Sequence, residues 1–115
     1  MDEIYACEQW KVKPGQEDEF IRRFREFAAW TLGEFPGAVI GAARLIQHAD
    51  DPTRFVSFGR FASIDALERW RAHPHYEETE KRIAETLESG DAGVYALRVQ
   101  LGAPGSDVQE EDDNG

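Results

Sequence analysis

Over residues 4–13 apolar and polar positions alternate loosely. Ile4, Ala6, Trp10 and Val12 share one parity, Tyr5, Cys7, Gln9 and Lys11 the other, and the run stops at Pro14-Gly15. This is strand chemistry, and since neither parity is wholly polar, both faces of the sheet should be covered. From Gln16 the period changes: Phe20, Phe24, Phe27, Ala28 and Thr31 fall in one stripe at helical spacing, with Glu17, Asp18 and Glu19 in the first turn where the helix dipole favours acids. Gly33 and Pro36 should end this long amphipathic helix. The β-rich runs 37–48 and 54–62, separated by the polar Ala49-Asp50-Asp51-Pro52-Thr53 turn, predict a hairpin.

Ser63 is placed to cap a helix through Ala66, Leu67 and Trp70, and Pro74 suits the first turn of a second helical piece carrying Tyr76, Ile83 and Leu87. Gly90 and Gly93 then release the chain into a final strand over 94–101. The predicted order is β-α-β-β-α-β, an α+β ferredoxin-like subunit with a four-stranded antiparallel sheet.

The last fourteen residues, GAPGSDVQEEDDNG, carry five acids, no base and the single apolar Val108, too little to offset the entropy of ordering. The chain thus divides into one domain, 1–101, and an acidic tail, 102–115, expected to be disordered. Half of the net charge of −10 lies in that tail, and the sign of the whole argues against nucleic acid or anionic membrane as partner. No apolar run approaches a membrane span, the first ten residues do not read as a signal peptide, and the lone cysteine, Cys7, suits a reducing compartment. A cytoplasmic protein is expected.

Val12-Lys13-Pro14-Gly15 with Phe20, then Phe35-Pro36-Gly37, Arg54-Phe55-Val56, and Phe61-Ala62-Ser63 leading to Trp70 resemble, in order and spacing, the antibiotic biosynthesis monooxygenase family over residues 4–101. The resemblance implies a ferredoxin-like subunit pairing sheet to sheet into a homodimeric α+β barrel. It also implies a cofactor-independent oxygenation of a small aromatic or quinol-like ligand. The same fold also suits a non-catalytic ligand-binding or assembly module. In cofactor-free members an Asn and a Trp four residues apart on the third strand serve the substrate; the matching positions hold Ser57 and Phe61, a departure that favours the second possibility. In the haem-degrading relatives an Asn on the first strand and a His on the last helix hold haem, and here Glu8 and Glu80 stand in their place. Carboxylates suit neither haem iron nor its propionates.

The candidate residues follow. Glu8 is a catalytic base if it faces a pocket, or else the partner of an arginine such as Arg98 or Arg44. Phe61 and Trp70 are walls for a flat ligand, with plain core packing as the competing reading. Ser57 can orient a ligand oxygen or simply accommodate a neighbour. His73 and His75 flank Pro74, so that His73 caps the helix while His75 points to solvent or a pocket mouth as a further substrate-binding candidate. With His48 at a strand end, the spacing of the three argues against a metal site. No phosphate loop, dinucleotide fingerprint or Gly-x-Ser-x-Gly elbow occurs, so no bound cofactor is expected.

Overall fold

The computed structural model describes residues 3–102; the acidic tail expected to be disordered lies, apart from Gly102, outside the described residues. The chain forms β1 (Ile4–Val12), α1 (Glu17–Glu34), β2 (Val39–Gln47), β3 (Arg54–Phe61), α2 (Ile64–Ala72), α3 (Pro74–Ala84) and β4 (Leu87–Ala96). The strands lie in the order β2-β3-β1-β4, every neighbouring pair antiparallel. This is the ferredoxin-like α+β arrangement, with the second helical segment in two pieces.

Strand β1 is central, and its alternation sets the layers. Ile4, Ala6, Glu8, Trp10 and Val12 turn towards the helices, whereas Tyr5, Cys7, Gln9 and Lys11 turn to the opposite face. Across the ladder Glu8 stands opposite Ser57 on β3 and opposite Ala92 on β4. Helix α1 lays its predicted stripe on the inner face: Phe20, Phe27 and Thr31 are buried, and Phe20 packs on Trp10 and Phe55 at ring-centroid distances of 5.5 and 4.8 Å. The helix runs through Gly33 and closes one residue later, where the Phe35 N–H bonds the Thr31 carbonyl at 3.0 Å. Arg23 ties α1 to the last helix, bonding Glu19 at 2.7 Å and Glu85 at 2.6 Å.

The two helical pieces meet at a cap. The Ser63 hydroxyl accepts from the Ala66 N–H at 3.0 Å and starts α2. His73 Nδ1 accepts from the His75 N–H at 3.0 Å and, with Pro74 in the first turn, starts α3. His48 does similar work in the hairpin turn, where Nδ1 accepts from the N–H groups of Asp50 and Asp51.

The last strand corrects the sequence expectation of 94–101. It begins at Leu87, assigned above to a helix, and ends at Ala96. Gly90 and Gly93 lie inside it, opposite Trp10 and Cys7. Nine residues of β1 need a partner of matching length, and pairing from Ile4↔Ala96 to Val12↔Leu87 outweighs the weak strand preference of glycine.

Strand β2 carries a second irregularity. Its pairing with β3 shifts between Ile40 and Arg44, so that residues 41–43 bulge out of the ladder, and Gly41 adopts the left-handed φ of +70° that the bulge requires. Ala43 from the bulge presses on Gly59, where an added Cβ would lie 2.9 Å from the Ala43 Cβ. Gly59→Ala should therefore push the bulge off β3 and lower stability by about 1–3 kcal/mol. Urea unfolding with a reduced midpoint and an unchanged slope checks this, and an unshifted midpoint would mean that the bulge yields freely.

Candidate functional site

Between α1, the inner sheet face and the β2 bulge lies a cavity of about 390 Å³, within the size range of small-ligand sites. Its buried end is built by Glu8, Ser57, Phe61 and Trp70 together with Phe27 and Thr31; its rim is the exposed stretch 41–44 and Leu32. Four of the five candidate residues thus converge. The fifth, His75, does not line it. It is exposed on α3, its ring edge-on to Trp30 at 4.8 Å and Nδ1 3.2 Å from Glu78, and it borders a separate concavity with Arg23 and Arg82.

Aromatic contacts hold the walls. Trp70 stacks on Phe27 with centroids 5.6 Å apart and meets Phe61 at 4.9 Å, so core packing and cavity lining are the same contacts seen from two sides. The Trp70 indole N–H donates to Thr31 Oγ1 at 2.9 Å, and the Thr31 hydroxyl donates to the Phe27 carbonyl at 2.9 Å. On the other wall the Trp10 indole donates to Ser57 Oγ at 3.0 Å, and the Ser57 hydroxyl donates to Glu8 Oε1 at 3.3 Å. These side-chain donors are all committed to protein partners. The Glu8 carboxylate is left as the acceptor at the buried end.

Glu8 is only 8 % exposed. Burial, reinforced by the nearby Glu80 carboxylate and partly opposed by the Ser57 hydroxyl and the Arg71 charge, raises its pKa to about 7. The arginine that offsets its charge is thus Arg71 of α2. Arg44 stands at the cavity rim, opposite Phe58 on the outer-face register.

Behind Glu8 and Trp70, on the side away from the main cavity, is a second space of about 40 Å³ reached by Arg71 and Tyr76. Tyr76 meets the Trp70 ring edge-on at 4.7 Å, and burial with the two carboxylates pushes its hydroxyl pKa up. Sequence reading did not assign Thr31, Arg71, Tyr76 or Glu80 to the site. One signal was available: Tyr76 and Glu80 are four residues apart on a helix and so share a face.

A ferredoxin-like sheet with an aromatic cavity and a buried carboxylate between helices and sheet places the chain in a class of small α+β proteins. Within that class the chain belongs to the antibiotic biosynthesis monooxygenase family, whose model matches residues 4–82. Among solved structures it is similar to SnoaB, a cofactor-independent oxygenase from Streptomyces nogalater. The two share 23% identity at a TM-score of 0.76, over 88% of this chain and 98% of that one. It is also similar to a conserved protein from Methanosarcina mazei Go1, with 19% identity and a TM-score of 0.74 over 85% and 95% of the two chains. At these identities the likeness is one of fold. We find no curated protein that matches the chain.

The raised pKa of Glu8 carries a stability consequence. The folded state holds this proton more tightly than the unfolded chain, so stability is full below the unfolded carboxyl pKa of 4.5 and falls as pH rises to about 7. The loss is on the order of 3 kcal/mol. Glu8→Gln, which has no proton to lose, should therefore gain thermal stability relative to wild type at pH 8 and show little difference at pH 4.5. Paired melting curves at the two pH values check the sign, and equal differences at both would remove the buried charge as the cause.

Proposed function

We propose that this protein is a cofactor-independent monooxygenase that takes a small, flat, electron-rich phenol or hydroquinone. The observation that carries the reading is Glu8: a buried carboxylate with a pKa of about 7, facing an aromatic cavity whose neighbouring side-chain donors are already spent. Such an end suits a ligand that brings its own O–H. Glu8 accepts the phenolic proton, and the resulting anion, lying against the wall of Phe61 and Trp70, passes one electron to O₂. Recombination forms the new C–O bond. The peroxide so formed takes one proton from solvent, in balance with the one that Glu8 gives up, and loss of water with the ring C–H proton leaves one oxygen atom in the quinone product and sends the other out as water. Ser57 holds Glu8 in place in this scheme, and His75, outside the cavity, has no part in it.

Oxygen uptake over a panel of hydroquinones and hydroxyarenes tests the reading. Turnover should follow the ionisation of Glu8, rising through about pH 7, and Glu8→Gln should lower kcat by about 10²–10⁴-fold. Binding of the same ligands without oxygen consumption would replace the enzyme with a ligand-binding module, the reading favoured by Ser57 and Phe61 at the positions of the family's Asn and Trp.

The working unit we propose is a homodimer in the cytoplasm. Ile40, Ile46, Val56 and Tyr95 are 41%, 51%, 38% and 54% exposed, and all lie on the sheet face without helices, beside the half-buried Tyr5, Cys7 and Phe58. A face this apolar is best covered by a second copy. Among the described residues no helix is long and apolar enough to cross a membrane. Sedimentation should give about twice the 13.0 kDa chain mass, and Val56→Glu should shift the population to monomer; a wild-type monomer at micromolar concentration would count against the pairing.

A further inference from the structure

A base that takes a proton on every turnover must also shed it, and the surroundings of Glu8 differ on its two sides. Towards β3 its carboxylate meets the Ser57 hydroxyl, which is itself bonded by the Trp10 indole. An indole N–H donates and never accepts, so a proton entering that branch has nowhere to go. Towards the helices lies the space of about 40 Å³, walled by Glu8, Trp70, Arg71, Tyr76 and the backbone of β4 near Gly93. It has room for one water molecule, and its lining supplies the polar partners that a water needs. A tyrosine hydroxyl both accepts and donates.

One turn along α3, Glu80 completes the line. It is only partly buried, burial raises its carboxyl pKa with the Tyr76 hydroxyl and Arg71 partly opposing, and its Oε2 is enclosed without a hydrogen-bond partner among the described residues. The groups that face Glu8 are Ser57 on β3, Arg71 on α2, and Tyr76 and Glu80 on α3, with Arg44 of β2 at the rim of the main cavity. Ser57 leads only to the closed branch and the arginines cannot give up a proton near neutral pH. Tyr76 and Glu80 are left.

We propose that Glu80, reached from Glu8 through Tyr76 and a single water in the small cavity, is the proton outlet of the site. The inference rests on Glu8 as the base of the proposed reaction. The Glu8 carboxyl gives its proton to the water, the water passes one to the Tyr76 oxygen as the Tyr76 hydroxyl proton moves to Glu80, and Glu80 releases it to solvent. One proton enters and one leaves, and no electron moves. Tyr76 hands the proton on without standing as a phenolate, in keeping with its raised pKa. Glu80 and Tyr76 touch no substrate in this scheme and act through Glu8.

The test follows Glu8 without any substrate. A rapid pH jump on the full chain is read by the infrared carboxyl band that is missing in Glu8→Gln. Both Glu80→Gln and Tyr76→Phe should slow its appearance by about tenfold or more, and Glu77→Gln, an exposed change on the same helix, should leave it unaltered. Unchanged rates in both variants, with native circular dichroism, would overturn the outlet, as would equal slowing by Glu77→Gln. Oxygen uptake is scored separately. If no hydroquinone is turned over while the slowing holds, the oxygenase reading falls and the proton path stands; turnover with unaltered exchange would reject the path alone.

Discussion

The central strand places a carboxylate where its neighbours are apolar, and much of the molecule is arranged around that fact. Residues 4, 6, 8, 10 and 12 of β1 share one face of a sheet whose period is two, so Glu8 cannot reach water without carrying Ile4, Trp10 and Val12 with it. Burying the ionised form is costly unless it is hydrogen-bonded and offset. The structure meets that cost only in part, with one hydroxyl from Ser57 and the charge of Arg71, while Glu80 adds repulsion. Burial with so little compensation raises the carboxyl's pKa to about 7.

The aromatic residues explain why the cavity persists beside so dense a core. Phe20, Trp10 and Phe55 fill the end of the sheet nearest the Pro14-Gly15 turn, and Phe27, Trp70 and Phe61 the other. Between the latter group and the β2 bulge the sheet has little with which to fill space. Gly59 has no side chain, and Ala42 and Ala43 are small. The bulge and Gly59 belong to one device: the glycine admits Ala43, and the displaced backbone forms the rim. The break at Pro74 matters for the same reason. By ending α2 just after Trp70 and restarting as α3, the chain brings Tyr76 against Trp70 at the small second space, with Glu80 one turn further along the helix.

Most of the fold was legible because it rests on local signals. Period-two and period-3.6 patterns marked β1 and α1, Ser63 and His73-Pro74 marked the helix starts, and Pro52 with its aspartates marked the hairpin. The final strand was misplaced because its start depends on β1, 75 to 92 residues away in sequence, and glycines read locally as breakers. In the site, Glu8, Ser57, Phe61 and Trp70 came together because strand register and helix stripe fix them. Arg71 and Tyr76 were not singled out, and Glu80 stood out only at the position of a relative's haem ligand, because on exposed-looking helices little in the sequence distinguishes a part-buried carboxylate from exposed neighbours such as Glu77 and Glu78.

The same contrast bears on how the site departs from its family. Ser57 and Phe61 stand where the family resemblance implies an amide and an indole, and the hydrogen-bonding capacity those would bring has not vanished from the region. Trp10, from the adjacent strand, supplies an indole N–H, but spends it on Ser57 at 3.0 Å instead of offering it to the cavity. Ser57 in turn spends its proton on Glu8. The effect of this chain of donors is to steady a carboxylate, so the polar chemistry at the buried end shifts from donating to accepting. A ligand tipped by a carbonyl or carboxylate finds no donor there once Glu8 is ionised, and one carrying an O–H finds the strongest acceptor in the cavity.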